Sequence, residues 1–465
     1  MANSTAVVER VAIGAMVEGG RCIARVDGLV LFVAQVAPGD IADLRIVKKK
    51  KGYAEAVPVY IHSQGPGRVT PFCEHFGVCG GCQWQHVDYA AQVAAKERLV
   101  IEKLVSIAHI EAPPVAPILP AEATTYYRNK LEFTFSNQRW LSAAEIEADV
   151  PLDRCALGFY RPGRFDRIVD IAHCYLQPAP ANAIRVSLAN FAKAQGLSFY
   201  DLRGHTGLLR NLIVRTATTG EVMVIVQFGQ AVADQVEQVM RFLRTKFPAL
   251  TSLQYVVNTK RNSTFYDLPV HVYHGQPWIT ERLDELQFRI GPKSFFQTNT
   301  AQSLVLYRKI LALADLRGDE VLYDLYTGVG SIALFLARHA RHVVGIEVTE
   351  EAIVDAQGNA ACNNITNTTF VAGDVARLLD AKFLAQHGTP SVVVTDPPRA
   401  GMCPKVIQQL LQIAPTRIVY VSCNPATQAR DIALLRDRYQ LVTAQPVDMF
   451  PHTSHVENIA LLRRY

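Results

Sequence analysis

From Arg289 onward, apolar runs recur with a regular rhythm, and that rhythm narrows the fold more than any other feature of the chain. The runs are "VLYDLY", "HVVGIE", "TTFVAGD", "SVVVTD", "RIVYVS" and "IALLRR". Helical stretches such as "SIALFLARHA", "TEEAIVDAQGNAACNN" and "PATQARDIALLRDR" lie between them. Strands alternating with helices predict a doubly wound, mostly parallel sheet of the Rossmann-like kind. In such sheets the ligand crevice lies outside the carboxyl ends of the strands. Residues at those strand exits are therefore the first candidates for chemistry.

The chain has 465 residues, too many for one ordinary core, and about 150 residues per domain suggests roughly three. Residues 6–60 read as short strands broken by Asp27-Gly28 and Pro38-Gly39, followed by the basic run Lys48 to Lys51 beside Tyr53. That pattern predicts a small β-barrel with a basic edge, and it resembles the TRAM domain, an OB-like RNA-binding barrel. Residues 88–108 have helical apolar spacing, and a Pro-rich linker, "EAPPVAPILPAE", follows. The next stretch mixes strands ("LEFTFS", "ALGFYR", "LIVRTAT", "EVMVIVQF") with helices, and Ser142 to Asp153 reads as an exposed acidic loop. The expected division is 1–65 for the TRAM-like barrel, 66–288 for a central α/β domain and 289–465 for the Rossmann-like domain, with helix 88–108 packing on the last. An apolar content of 49% with 19% charged residues describes a packed globular protein rather than a disordered one. A net charge of +5 permits nucleic acid as a partner without establishing it. No run reaches the ~18 apolar residues of a membrane span, and the N-terminus lacks a signal layout. The expectation is a cytoplasmic, monomeric protein with no membrane partner.

"VLYDLYTGVGSIALFLA" places Asp324, Gly328 and Gly330 between a strand and a helix, where glycines let the backbone turn sharply near a ligand. Glu347 closes the next strand, 17 residues beyond Gly330, near the position of a carboxylate that grips ribose hydroxyls. The third glycine of a dinucleotide loop is replaced by Ala333. A cofactor with ribose but no pyrophosphate fits, and the stretch looks like the first motif of S-adenosylmethionine (SAM)-dependent methyltransferases. Asp374 and "TDPPRAG" follow the third and fourth strands. Amine methyltransferases use a similar Asp-Pro-Pro-aromatic loop, but Arg399 occupies the aromatic position here, so amine methylation at Asp396 is the second reading.

"VSCNP" sets Cys423 at another strand exit, ahead of Pro425. Carbon-5 of a pyrimidine becomes nucleophilic once a thiolate adds at carbon-6, and a base must later remove the carbon-5 proton. Cys423 supplies the sulfur, and the helix beginning near Pro425 is expected to favour its thiolate. Glu457, ahead of the last apolar strand, is the candidate base, with His452 and His455 as alternatives.

"FFQTN", "DLYTGVG", "TDPPRAG", "VSCNP" and "HTSHVEN" occur in this order, and with that order the chain resembles the RNA uracil-5 methyltransferases. The resemblance implies that Gln297, Tyr326, Glu347 and Asp396 contact SAM, that Cys423 is the nucleophile and that Glu457 is the base. Many members carry Cys where this chain has Thr327, a position outside the nucleophilic step.

"PFCEHFGVCGGCQWQ" gives Cys73, Cys79 and Cys82 in a C-x5-C-x2-C pattern. Three soft thiolates so close call for a metal or an Fe–S cluster. The chosen fourth ligand is Cys174, with Cys155 as the local competitor and a zinc site completed by His75 or His86 as the chemical alternative. Cys174 matches the fourth cysteine of the iron–sulfur branch, the RlmD-type 23S ribosomal RNA enzymes. A radical-SAM enzyme would use C-x3-C-x2-C instead. The expected cofactors are SAM and a [4Fe–4S] cluster with a structural or RNA-facing role. The expected reaction is methylation of uracil carbon-5 in RNA, 23S ribosomal RNA first; transfer RNA, amine-directed methylation and a non-catalytic RNA-binding role are the alternatives. The target base must leave its stack. Contacts are expected from Tyr126, Tyr127, Arg128, Lys130, Phe159, Tyr160, Arg161, Arg164 and Arg167, with Phe133 and Phe135 in the core.

Overall fold

The computed structural model describes residues 7–148 and 150–465. Six strands form the amino-terminal sheet, in the order Val7–Ala12, Ile41–Lys50, Tyr53–Ser63, Leu29–Ala34, Arg21–Val26 and Met16–Val17. Asp27 and Gly28 both take positive φ (48° and 80°), as a two-residue primed turn needs, and Val26 pairs with Leu29 across it. Beyond the first strand, Gly14 N–H donates to the Ile23 carbonyl and Ile23 N–H to that of Ala15. The first segment thus reaches both sides of the sheet and rolls it into a barrel around Cys22, Leu31, Val33, Leu44 and Ala54.

The central sheet runs in the order His271–Gly275, Ser252–Val257, Val222–Phe228, Leu209–Thr216, Lys130–Ser136, Ala156–Tyr160 and Ile168–Asp170. Helices Ala181–Ala194 and Ala233–Lys246 share its core, and Phe191 stacks on Phe242 with ring centroids 4.0 Å apart. Strands Leu209–Thr216 and Val222–Phe228 are buried throughout. Their alternate residues Ile213, Met223 and Ile225 join the core of the carboxyl-terminal domain, so the two domains share an apolar seam. Phe133 and Phe135 are fully buried. The acidic stretch after Leu141 is not simply a loop. Ala143–Glu147 forms an exposed helical turn with a capping box, in which Ser142 and Glu145 satisfy each other's backbone N–H.

The carboxyl-terminal sheet has the order Thr368–Ala372, His342–Glu347, Val321–Leu325, Val392–Thr395, Arg417–Ser422, Glu457–Arg464 and Tyr439–Val447. The first five strands are parallel, and Glu457–Arg464 runs antiparallel to both its neighbours. Helix Pro404–Ile413 and the edge strand Tyr439–Val447 lie outside the apolar runs and helical stretches read from the sequence above. The strand alternates buried and exposed residues over its first half and contains Pro446, which an edge position tolerates.

That edge is covered. Ala116 N–H donates to the Ala444 carbonyl, Leu119 N–H to that of Pro446, and Ala444 N–H to that of Pro114. The Pro-rich segment therefore lies along the sheet rather than linking domains freely, and it satisfies backbone groups that an open edge would expose. Helix Tyr89–Ser106 is wedged between domains. Ala95 and Leu99 enter the barrel core, while Val100 and Leu104 pack with Tyr323, Ile418 and Tyr420 of the parallel sheet.

Candidate active site

A cavity of about 820 Å³ opens at the carboxyl ends of the parallel strands, and Gln297, Tyr326, Glu347, Asp396, Cys423 and Glu457 all line it. The glycine loop forms one wall. Tyr326, Gly328 and Gly330 take φ of 66°, 56° and 80°, a region that a tyrosine enters only under constraint. A side chain at Gly330 would also meet Ala356 and Phe370 at 3.0 Å. Behind the loop, Asp324 Oδ2 accepts from Thr327 Oγ1 at 2.5 Å and from Ala333 N–H at 3.1 Å. Burial pushes the Asp324 carboxyl up to about 7. Thr327 therefore has a task of its own, holding the buried carboxyl at the base of the loop. The Glu347 carboxylate accepts from Gly328 N–H at 3.2 Å and Thr349 N–H at 3.0 Å.

The opposite wall carries the sulfur. Cys423 follows strand Arg417–Ser422, and Asn424 caps helix Pro425–Leu435 by accepting from Ala426 N–H at 3.1 Å. Asn424 Nδ2 and Thr427 Oγ1 both donate to the Arg399 carbonyl, at 3.0 and 3.1 Å. The Asp396-Pro-Pro loop and the cysteine turn are thus one rigid unit. Glu457, 4% exposed, begins the last strand opposite Val447.

The electrostatics correct one expectation. Burial first, then the charges of Glu457 and Asp396, push the Cys423 thiol up to about 11, with Arg399 opposing. The helix start does not make this thiol a resting thiolate. Burial likewise lifts Asp396 to about 7. Glu457 is raised well above the ordinary carboxylate range, by burial and then by Asp396, against the pull of Arg399. Two buried carboxyls and one thiol thus compete for few protons.

Of the two histidine alternatives, only His455 lines the cavity. His452 is buried with its Nδ1 3.2 Å from Gln92 Nε2, and burial pushes it down to about 4. Tyr307, Ser331 and Phe450 also line the cavity without having been singled out in the sequence. The Tyr307 and Ser331 hydroxyls lie 2.8 Å apart, and the Arg128 guanidinium sits 5.4 Å from the Phe450 ring centre. Ser331 directly follows the glycine motif, whereas tertiary packing brings in Tyr307 and Phe450.

Cys73, Cys79, Cys82 and Cys174 line one small cavity of about 20 Å³, together with His75. Burial pushes Cys79 and Cys82 up to about 12, and both feel the charges of Cys174 and Cys73. Cys155 lies away from that cavity, beside Asp153 and Lys193. His75 Nε2 accepts from Ala172 N–H at 2.8 Å, and His86 Nε2 lies 3.0 Å from the Val36 carbonyl. Among the described residues no three His, Cys, Asp or Glu side chains stand at metal-binding spacing.

A third and larger groove, about 1550 Å³, runs between the barrel and the central sheet, with Arg161, Arg164, Arg203, Arg210 and Arg261 in its walls and no acidic side chain among the described residues that line it. A smaller cavity of about 140 Å³ shares Gly19 and Gln83 with this groove and Cys423 with the active site. Of the proposed RNA contacts, Tyr127 is instead 8% exposed, and its hydroxyl donates to the Pro451 carbonyl at 3.0 Å. Tyr126 and Tyr160 are exposed. No described helix is long and apolar enough to cross a membrane.

A family model described as tRNA (uracil-5-)-methyltransferase matches residues 216–465, more than half of the chain. The chain belongs to that family. A TRAM domain model matches residues 7–59, in agreement with the barrel. RNA methyltransferases of Bacteroides thetaiotaomicron and Chlorobaculum tepidum are 49% and 39% identical to this uracil-5 methyltransferase, each over 96% of its length and over 99% and 94% of their own. A crystal structure of Pyrococcus abyssi tRNA (uracil-54, C5)-methyltransferase in complex with S-adenosyl-L-homocysteine superposes with a TM-score of 0.75. It is 26% identical, with 97% of this chain and 99% of that one covered.

Proposed function

We propose that this methyltransferase transfers the methyl group of SAM to carbon-5 of a uridine in 23S ribosomal RNA, through a covalent bond between Cys423 and carbon-6. The observation that carries this reading is that Cys423 and Glu457 line the same cavity as the glycine loop and Glu347. Sulfur, base and donor site share one enclosure, as an adduct mechanism requires.

The residues fit the donor. Glu347 keeps lone pairs for ribose hydroxyls after accepting its two backbone N–H groups. Tyr326 and Gln297 flank the same space. When bound, SAM supplies an electrophilic methyl group on a sulfonium.

Before it attacks, the thiol of Cys423 passes its proton to Asp396, one of the two carboxylates whose charge it feels, which leaves Glu457 free for the later step. A new S–C6 bond pushes ring electrons toward the carbon-4 oxygen. Carbon-5 then takes the methyl group as the donor's C–S bond breaks. Glu457, ionised at this point, removes the carbon-5 proton, and the returning electrons expel the Cys423 thiolate. Its raised proton affinity suits a base that must take a proton from carbon. Arg399 opposes the rise at both Glu457 and Cys423.

RNA reaches Cys423 from the arginine-lined groove through the small cavity that both spaces border. The TRAM barrel forms one side of this path, with Gly19, Gln35 and Val57 in its wall.

The four thiols around one cavity fit a [4Fe–4S] cluster in donor chemistry, and Gly81 N–H donates to Cys79 Sγ at 3.3 Å, a contact that favours a bound thiolate. Cys73, Cys79, Cys82 and Cys174 would hold it, and the cluster would brace the loop rather than move electrons. Anaerobic purification should give four iron and four sulfide per chain, about the [4Fe–4S] stoichiometry. Cys79→Ser with unchanged iron would remove the assignment.

Transfer RNA is the competing substrate, favoured by the substrate named for the Pyrococcus abyssi enzyme. Mass-spectrometric mapping of both RNAs from a deletion strain separates them. Loss of 5-methyluridine from 23S ribosomal RNA alone supports the proposal, and loss from transfer RNA alone reverses it. Amine methylation at Asp396 predicts full activity in Cys423→Ser.

A further inference from the structure

Glu457 is gripped from both sides along the chain. Downstream, Asn458 Nδ2 donates to Gln428 Oε1 at 2.7 Å, and Gln428 Nε2 donates to the carbonyls of Asn458 and Tyr420, at 3.1 and 2.8 Å. That end is thereby fixed to the helix after Cys423. Upstream runs the connection Asp448 to Val456. Its first half is tied to the Tyr89–Ser106 helix: Lys96 Nζ donates to Asp448 Oδ1 and the Phe450 carbonyl, and Gln92 Oε1 accepts from His452 N–H.

The second half has a different anchor. Gln83 Oε1 accepts from both Ser454 N–H, at 3.0 Å, and Ser454 Oγ, at 2.9 Å. Gln83 N–H and Trp84 N–H both donate to the His452 carbonyl, at 2.7 and 3.0 Å. Ser454 precedes His455, which lines the catalytic cavity. Gln83 directly follows Cys82 in the cysteine loop. The barrel seats it closely, since a side chain added at Gly20 would come within 2.7 Å of Gln83 Cβ.

We propose that Gln83 is a positioning residue for proton removal: through Ser454 it sets the strand-leading turn that aims Glu457 and His455 at the Cys423 adduct. The proposal rests on the assignment of Glu457 as the base. It also gives the cysteine loop a role in the reaction, because the turn that bears the base is docked on that loop and, through Gly20, on the barrel.

The chemistry predicts where a loosened turn would fail. Sulfur attack and methyl transfer depend on Cys423 and the donor site, whereas release depends on Glu457. A displacement of about 1 Å at a reacting group is enough for a loss on the order of a hundredfold.

The test uses the full-length protein with its natural RNA sequence. Gln83→Ala should lower kcat about ten- to a hundredfold while SAM affinity stays within about twofold, since Gln83 is not in the wall of the donor cavity. It should also accumulate a denaturant-resistant protein–RNA adduct that already carries the transferred methyl group. Gln83→Glu, which still presents an acceptor to Ser454, should restore release. Should Gln83→Ala fail to fold, Ser454→Ala removes one of the two bonds and should show the same adduct to a smaller degree. Glu457→Gln runs in parallel. If Glu457→Gln traps the methylated adduct and Gln83→Ala releases product at the normal rate, the role of Gln83 is overturned and that of Glu457 stands. If Glu457→Gln itself turns over normally, the assignment of the base fails.

Discussion

Lys96 Nζ lies 2.5 Å from Asp448 Oδ1, and both side chains are fully buried. The pair joins the helix that follows the cysteine loop to the turn that leads into Glu457. Tyr89 donates its hydroxyl to the other Asp448 oxygen at 2.9 Å. A buried ion pair is a weak source of net stability, but removing one partner strands the other charge. Lys96→Met should therefore destabilise the protein by about 3–5 kcal/mol, read by denaturant unfolding. The double replacement Lys96→Met with Asp448→Leu should cost less than the single one.

Asp324 gives a pH signature. Its carboxyl is raised from an unfolded value near 3.8 to about 7. Below the lower value both states are protonated and the group has no effect. Between about pH 4 and pH 7 the unfolded chain ionises while the native carboxyl stays protonated, so stability falls as pH rises. Above that window the penalty is constant. Asp324→Asn should flatten this slope in SAM-free protein and raise the Tm at pH 8 more than at pH 4. Asp396, also raised to about 7 by burial, should contribute in the same direction.

Cys423 should alkylate slowly at neutral pH, since its thiol is held up at about 11 by burial and by two carboxylates. Glu457→Gln removes one of those negative charges. It should lower the thiol's proton affinity and speed iodoacetamide labelling of Cys423 at pH 8, measured by peptide mass spectrometry. An unchanged rate would mean that the carboxylate does not act on the sulfur.

Arg164 and Arg261 face the groove between the barrel and the central sheet. If single-stranded RNA lies there, each replacement by Ala should reduce the slope of log affinity against log salt by about 0.7 per lost phosphate contact. Fluorescence anisotropy with a short RNA at several salt concentrations measures this, and an unchanged slope would place the RNA elsewhere.

The catalytic wall was readable in the sequence because its members sit at strand exits, and strand exits follow from apolar periodicity. Asp324, Glu347, Asp396 and Cys423 are each placed by the end of a parallel strand, so a local pattern sufficed. The proton balance was not readable. The rise at Cys423 comes first from burial and then from Glu457 and Asp396, which are distant in the chain and meet only through the sheet order. Gln83 was invisible for the same reason: its partner Ser454 lies 371 residues away. The Pro-rich segment misled because proline signals extended backbone but not what that backbone lies against. Ser142 to Asp153 held a capping-box spacing, Ser142 to Glu145, that acidic composition masked.

The most direct measurement uses RNA in which the target uridine is 5-fluorouridine, incubated with SAM and digested for mass spectrometry. Fluorine at carbon-5 leaves no proton for Glu457 to remove, so the reaction should stop after methyl transfer. We expect the peptide containing Cys423 to carry a methylated fluorouridine nucleotide, and Cys423→Ala to give neither adduct nor product. Methylation of ordinary RNA by Cys423→Ala, or an adduct on any other residue, would contradict the mechanism.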